Sequence, residues 1–141
     1  MTHRGMVHAL HNVRRVLADE GLLLDIHSVP GRRIVFCEIP EGRVAVGYLR
    51  ESRSHARYRT AQTSLDRAVA QGLFRVRAAS EFHFLHHARS LPALRRYFTR
   101  DWVHASVGGA TARRINRLLG SRRKGVIIID EVAQMTVLEK R

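Results

Sequence analysis

The most constraining stretch of the chain is an abrupt change of period near its start. From His3 to Ala18 the apolar residues Met6, Leu10, Val13 and Leu17 recur every three or four positions. That is the spacing of one helix face, and Arg14 and Arg15 fall off it. Asp19-Glu20-Gly21 ends the pattern, with Gly21 suited to the left-handed position at which helices stop. Directly after it comes Leu22-Leu23-Leu24-Asp25-Ile26-His27-Ser28-Val29, closed by Pro30-Gly31. This segment opens as an unbroken apolar run, as a strand buried on both faces does. A helix followed at once by such a strand commits the chain to an α/β class.

The rest of the chain keeps alternating between the two periods. Arg33 to Ile39 and Arg43 to Leu49 are β-like and flank Pro40-Glu41-Gly42, which predicts a hairpin. Ser54 to Gln71 carries Tyr58, Ala61, Leu65, Ala68 and Val69 at helical spacing and stops at Gly72. Leu73 to His86 alternates as a strand, with Phe82 and Phe84 on one face and Glu81, His83 and Leu85 on the other. Ser90 is an N-cap with Pro92 in the first turn, and Leu94, Phe98 and Trp102 mark a helix to about His104. Gly108-Gly109 reads as a hinge. Thr111 to Leu119 is a short helix, and Val126 to Leu138 a closing strand. The order α-β-β-β-α-β-α-α-β predicts one α/β domain over residues 1–141, a small mixed sheet with packed helices.

The phrase from Leu10 to His27 resembles class I S-adenosylmethionine-dependent methyltransferases. In that family a helix ends in an Arg-Val-Leu-Lys-Pro-Gly-Gly-like stretch and leads into the fifth sheet strand. Arg15-Val16-Leu17 matches it, and Ala18-Asp19-Glu20-Gly21 keeps only the last glycine of the remainder. The layout that follows is similar to the C-terminal half of this Rossmann-like fold, in which two long strands close the sheet as an antiparallel pair. Leu73 to His86 and Val126 to Leu138 would be that pair. The family holds its cofactor on a glycine-rich loop after the first strand and an acidic residue ending the second. Neither has a counterpart here. The resemblance therefore implies a substrate-side or accessory half, or a non-catalytic remnant. It would bind no cofactor alone, and S-adenosylmethionine only when a partner completes it. In the complete fold the fourth strand lies beside the fifth, so the edge of Leu22 to Val29 is expected to be open to a second copy or a partner chain.

Within that frame, Asp25 and His27 lie two apart on one face at the carboxyl end of the first strand, where open α/β sheets place ligands. A carboxylate that orients an imidazole is a usable acid–base pair, and the two are the candidate catalytic residues. The plainer alternative is a polar strand end. Glu81, His83, His86 and His87 form the densest set of metal-capable side chains, but their spacing matches no zinc motif, and no metal is expected.

Charge supplies the second candidate function. Ser52 to Lys124 contains 16 basic residues and three acidic ones, whereas the flanks hold nine of each. The whole excess of +13 therefore belongs to the middle, and all but two of the cations are arginine. Arg113, Arg114, Arg117, Arg122, Arg123 and Lys124 are the densest cluster and the candidate nucleic-acid or polyanion contacts. No aromatic residues interleave them, and a solvated arginine face is the plainer alternative. No apolar run approaches the roughly 20 residues of a membrane span. No secretory h-region and only one cysteine, Cys37, are present, so a cytoplasmic protein with no disulfide framework is expected.

Overall fold

A computed structural model describes residues 3–52, 54–120 and 124–141. In chain order these form α1 (His3–Val16), β1 (Leu22–Ser28), β2 (Ile34–Ile39), β3 (Gly42–Glu51), α2 (Ser54–Ala70), β4 (Phe74–Ala88), α3 (Leu91–Asp101), β5 (Ala105–Val107), α4 (Gly109–Leu119) and β6 (Val126–Lys140). This is the predicted α/β succession with one addition. Strand β5 has three residues, too few to carry an alternation signal.

The strands form one sheet in which β6 pairs with β1, β2 and β4, while β3 pairs with β2 and β5. The registers of β1, β2, β3 and β5 are antiparallel. So is the β4–β6 pair: Arg75 meets Glu139 near one end and His86 meets Glu131 near the other. The expected mixed sheet is therefore corrected to an antiparallel one. A helix between two strands suggests a parallel crossover, but here each intervening helix returns the chain to run against its neighbour.

Contacts cluster the chain into two compact units. One comprises 1–30, 55–82 and 133–141, and the other 31–54 and 83–132, so β4 and β6 contribute to both. In the first unit β1 pairs with the end of β6, from Leu22 opposite Glu139 to Ser28 opposite Ala133. Leu138, Leu65, Ala68 and Phe74 are buried together, with Leu23, Leu10, Val13 and Leu17 packed against them. Arg14 of α1 donates from Nε to the Leu73 carbonyl at 3.2 Å and from Nη2 to the Arg141 carbonyl. Lys140 Nζ donates to the Leu17 carbonyl at 2.9 Å. The α1 stripe thus faces the sheet, as its period requires.

Two expectations fail in this unit. β1 is not buried on both faces: Leu22, Leu24 and Ile26 are exposed, while the alternate residues Leu23, Asp25 and His27 are half-buried. Nor does Gly21 adopt a left-handed backbone; the positive-φ glycines are Gly42, Gly47 and Gly72. Gly21 is required by close approach, since a Cβ there would lie 2.6 Å from Leu17 Cγ. It is Gly72, at φ 72°, that ends α2 in the left-handed conformation.

In the second unit β2 and β3 form the predicted hairpin, with Ile39 opposite Gly42. β2 also lies against the start of β6, where Ile127 and Ile129 are fully buried with Val35, Cys37 and Val46. Leu91, Leu94 and Phe98 of α3 and Ile115 of α4 close this core. Ser90 caps α3 as predicted, its hydroxyl accepting from the Ala93 N–H at 3.3 Å. The break expected at Gly108-Gly109 falls between β5 and α4. Gly108 is the N-cap of α4, and a Cβ on it would lie 2.7 Å from the Arg50 guanidinium carbon.

Candidate functional site

Asp25 and His27 meet as the sequence predicts. Their i, i+2 spacing puts both side chains on the Leu23 side of β1, and His27 Nδ1 lies 2.5 Å from Asp25 Oδ2. A carboxylate only accepts, so Nδ1 carries the proton and Nε2 is left as the basic nitrogen. The register places Thr136 opposite Asp25 and Gln134 opposite His27, where the Gln134 amide donates to Thr136 Oγ1 at 3.4 Å. His27 is 11% exposed and Asp25 30%, so the pair is sheltered but reachable. This arrangement can accept a proton from a bound nucleophile and hold it as an imidazolium beside the Asp25 carboxylate.

A second polar cluster lies inside the other unit, and the sequence reading missed it. Arg33, 3% exposed at its side chain, bridges two carboxylates: Nη1 donates to Glu51 Oε2, and Nη2 to Glu131 Oε1 at 2.8 Å. Trp102 Nε1 donates to Glu51 Oε1 at 3.0 Å, and the Arg33 guanidinium lies 5.6 Å from the Trp102 ring centroid. Glu131 Oε2 is 2.8 Å from His86 Nε2, and His86 Nδ1 is 3.1 Å from the Tyr97 hydroxyl. Burial, with Asp101 and then Glu131 adding to it, pushes the Tyr97 phenol above its ordinary range. Tyr97 is therefore a hydroxyl donor to His86 Nδ1, and His86 in turn donates from Nε2 to Glu131. The hydrogen bonds run unbroken from Trp102 to Tyr97. They tie β3, β4, β6 and α3 to the segment that enters β2 and can pass a proton along their Glu131–His86–Tyr97 end.

The missed signal was strand parity. Arg33 shares its side of the chain with Val35 and Cys37, Glu51 with Leu49, and Glu131 with Ile127 and Ile129, all of them core residues. A charge at a core parity position needs a partner, and three such charges on three segments satisfy one another.

The cation cluster is split. Arg113, Arg114 and Arg117 are exposed on α4, opposite buried Ile115 and half-buried Leu118 and Leu119. Arg114 Nη1 donates to the Val46 carbonyl at 3.3 Å, which makes it partly an anchor of α4 on β3. Arg122 and Arg123 lie outside the described residues. Lys124 lines a cavity of about 500 Å³.

Other polar residues have local partners. His83 pairs with Asp130 at 2.7 Å, and among the described residues no three His, Cys, Asp or Glu side chains converge to hold a metal. Cys37 is fully buried, and burial pushes its thiol up, away from nucleophile chemistry. No helix among the described residues is long and apolar enough to cross a membrane. Comparison with protein-family models, with curated proteins and with solved structures finds no match.

Proposed function

We propose that this chain is the substrate-side half of a class I methyltransferase-like fold, with no binding of S-adenosylmethionine on its own. In this reading Asp25 and His27 form the base of the substrate pocket, and any methyl transfer uses cofactor held by another chain. The observation that carries the proposal is β1. It leads out of α1 through the Arg15-Val16-Leu17 phrase and ends in a hydrogen-bonded carboxylate–imidazole pair. Among the described residues β1 pairs with β6 alone and stands at one end of the strand order, which leaves its other edge open. The long antiparallel β4–β6 pair is also what the resemblance implies.

The same strand supports association with a second copy or a partner chain. Leu24 and Ile26 are each 59% exposed. Fully burying such a side chain is worth about 1.5–3 kcal/mol, most of which the isolated chain forgoes at both positions. Titration calorimetry with S-adenosylmethionine on the purified chain tests the cofactor half of the proposal. No heat of binding is expected, and saturable binding by the chain alone would overturn it. Light scattering tests the association: self-association that rises with concentration and disappears in Leu24→Lys/Ile26→Lys supports a second copy on β1. A monomer at every concentration that also fails to gain a partner on co-expression with a cofactor-binding half removes it.

A second reading, a nucleic-acid or polyanion contact, rests on Arg113, Arg117 and Lys124. All three are exposed, and none carries an ion pair among the described residues. Each phosphate neutralised adds to the salt dependence of binding. Replacing Arg113, Arg114 and Arg117 with Gln should abolish salt-sensitive retention on RNA or DNA, and unchanged retention would eliminate this reading.

A further inference from the structure

The cavity beside Lys124 belongs neither to the Asp25–His27 pair nor to the buried Arg33 cluster. Its apolar walls are Ile39 and Pro40 from the end of β2, Leu119 from the end of α4 and Val126 from the start of β6. Two cations complete it, Arg89 just after β4 and Lys124 just before β6. The volume of about 500 Å³ falls within the range of small-molecule sites. Four separate segments of the second unit converge here, so the concavity is built by the fold. Gly125 shows how closely: a Cβ on it would lie 2.5 Å from Leu119 Cδ2 and 3.4 Å from the Glu38 carbonyl oxygen.

The charges select the ligand. Glu38 is the one carboxylate among the described lining residues, and its Oε1 already accepts from Arg43 Nη2 at 3.1 Å. Arg89 and Lys124 are both exposed and carry no ion pair among the described residues. An open concavity with apolar patches on Ile39, Pro40, Leu119 and Val126, and with two cations that carry no ion pair among the described residues, matches a molecule with an apolar body and one anionic end. A metal would meet cations here, and a neutral apolar ligand would leave them unused.

We propose that this cavity binds a small organic acid, with its ring or alkyl body against Ile39, Pro40, Leu119 and Val126 and its carboxylate on Arg89 and Lys124. Each contact with an exposed cation is worth little alone, but loss of the ligand's charge gives up both contacts together and should cost about tenfold in affinity.

The test is a calorimetric and two-dimensional NMR titration of the full chain with 2-naphthoate, 2-naphthamide, acetate and inorganic phosphate. The expected result is one-to-one naphthoate binding that shifts the amides of Gly125 and Val126. The neutral amide should bind about tenfold more weakly or worse, and acetate and phosphate should not displace naphthoate at matched concentration. Arg89→Gln/Lys124→Gln removes charge from two exposed side chains and should weaken naphthoate about tenfold with the circular dichroism spectrum unchanged. Arg113→Gln/Arg117→Gln should leave naphthoate binding intact while reducing polyanion retention, which separates this site from the polyanion reading. Equal binding of acid and amide, equal competition by phosphate, or an unaffected Arg89→Gln/Lys124→Gln variant would overturn the proposal.

Discussion

Arg33 shows how much a single residue can hold together. Its guanidinium is buried between Glu51 and Glu131, and the energy of that arrangement depends on all three charges being present. Arg33→Met takes the shared guanidinium away from two buried carboxylates and should destabilise the protein by about 3–5 kcal/mol in denaturant titration. Arg33→Met combined with Glu51→Gln and Glu131→Gln should recover a large part of the loss, because the uncompensated charges are gone. Tyr97 makes a separate prediction in alkali. Its folded-state pKa is raised, so its contribution to stability is intact below the ordinary phenol value near 10 and is lost as pH rises through the folded value. The melting temperature should therefore fall above about pH 10, and Tyr97→Phe should flatten that part of the profile. Cys37, buried and with its thiol pushed up, should resist iodoacetamide at neutral pH until denaturant is added.

At the scale of elements, β1 and α4 carry the functional argument. β1 has a half-buried side holding Leu23, Asp25 and His27 and an exposed apolar side holding Leu22, Leu24 and Ile26. Its two sides thus separate the candidate chemistry from the candidate contact surface. Substituting His27 should affect any methyl transfer in a reconstituted enzyme, whereas substituting Leu24 and Ile26 should affect assembly. Helix α4 is seated on β3 by a close approach. A Cβ at Gly47, where φ is 156°, would lie 2.2 Å from Thr111 Oγ1. Gly47→Ala should therefore cost about 1–3 kcal/mol through overpacking and backbone strain, read as a lower denaturation midpoint. Thr111→Ala in the same chain should relieve the steric part, since it removes the atom that the new Cβ meets.

At the scale of the molecule, the +13 net charge is the property an experiment meets first. It predicts tight retention on a cation exchanger and on nucleic acid at low salt, falling steeply as salt rises. Such retention does not by itself identify a site. The arginine variants on α4 and the Arg89 and Lys124 variants divide it into a surface field and a defined cavity. If the α4 triple variant loses the steep salt slope, the field is local. If the slope barely changes, the charge acts as a diffuse property of the whole middle segment.

Every helix and every strand but the three-residue β5 was legible in the local sequence, because periods of 3.6 and 2 are written residue by residue. The Pro40-Glu41-Gly42 hairpin and the Ser90 cap were both legible in this way. The sequence also determined that Asp25 and His27 share a side of β1, since an i, i+2 pair on a strand has no alternative. Tertiary structure alone decided strand direction, the exposure of Leu22, Leu24 and Ile26, and the reason for Gly21. Each of these depends on which segment arrives from elsewhere in the chain. The same is true of the Arg33 cluster, whose members lie as far apart as Arg33 and Glu131. A charge at a core position announces a need for a counter-charge, but only the packed fold supplies the partner.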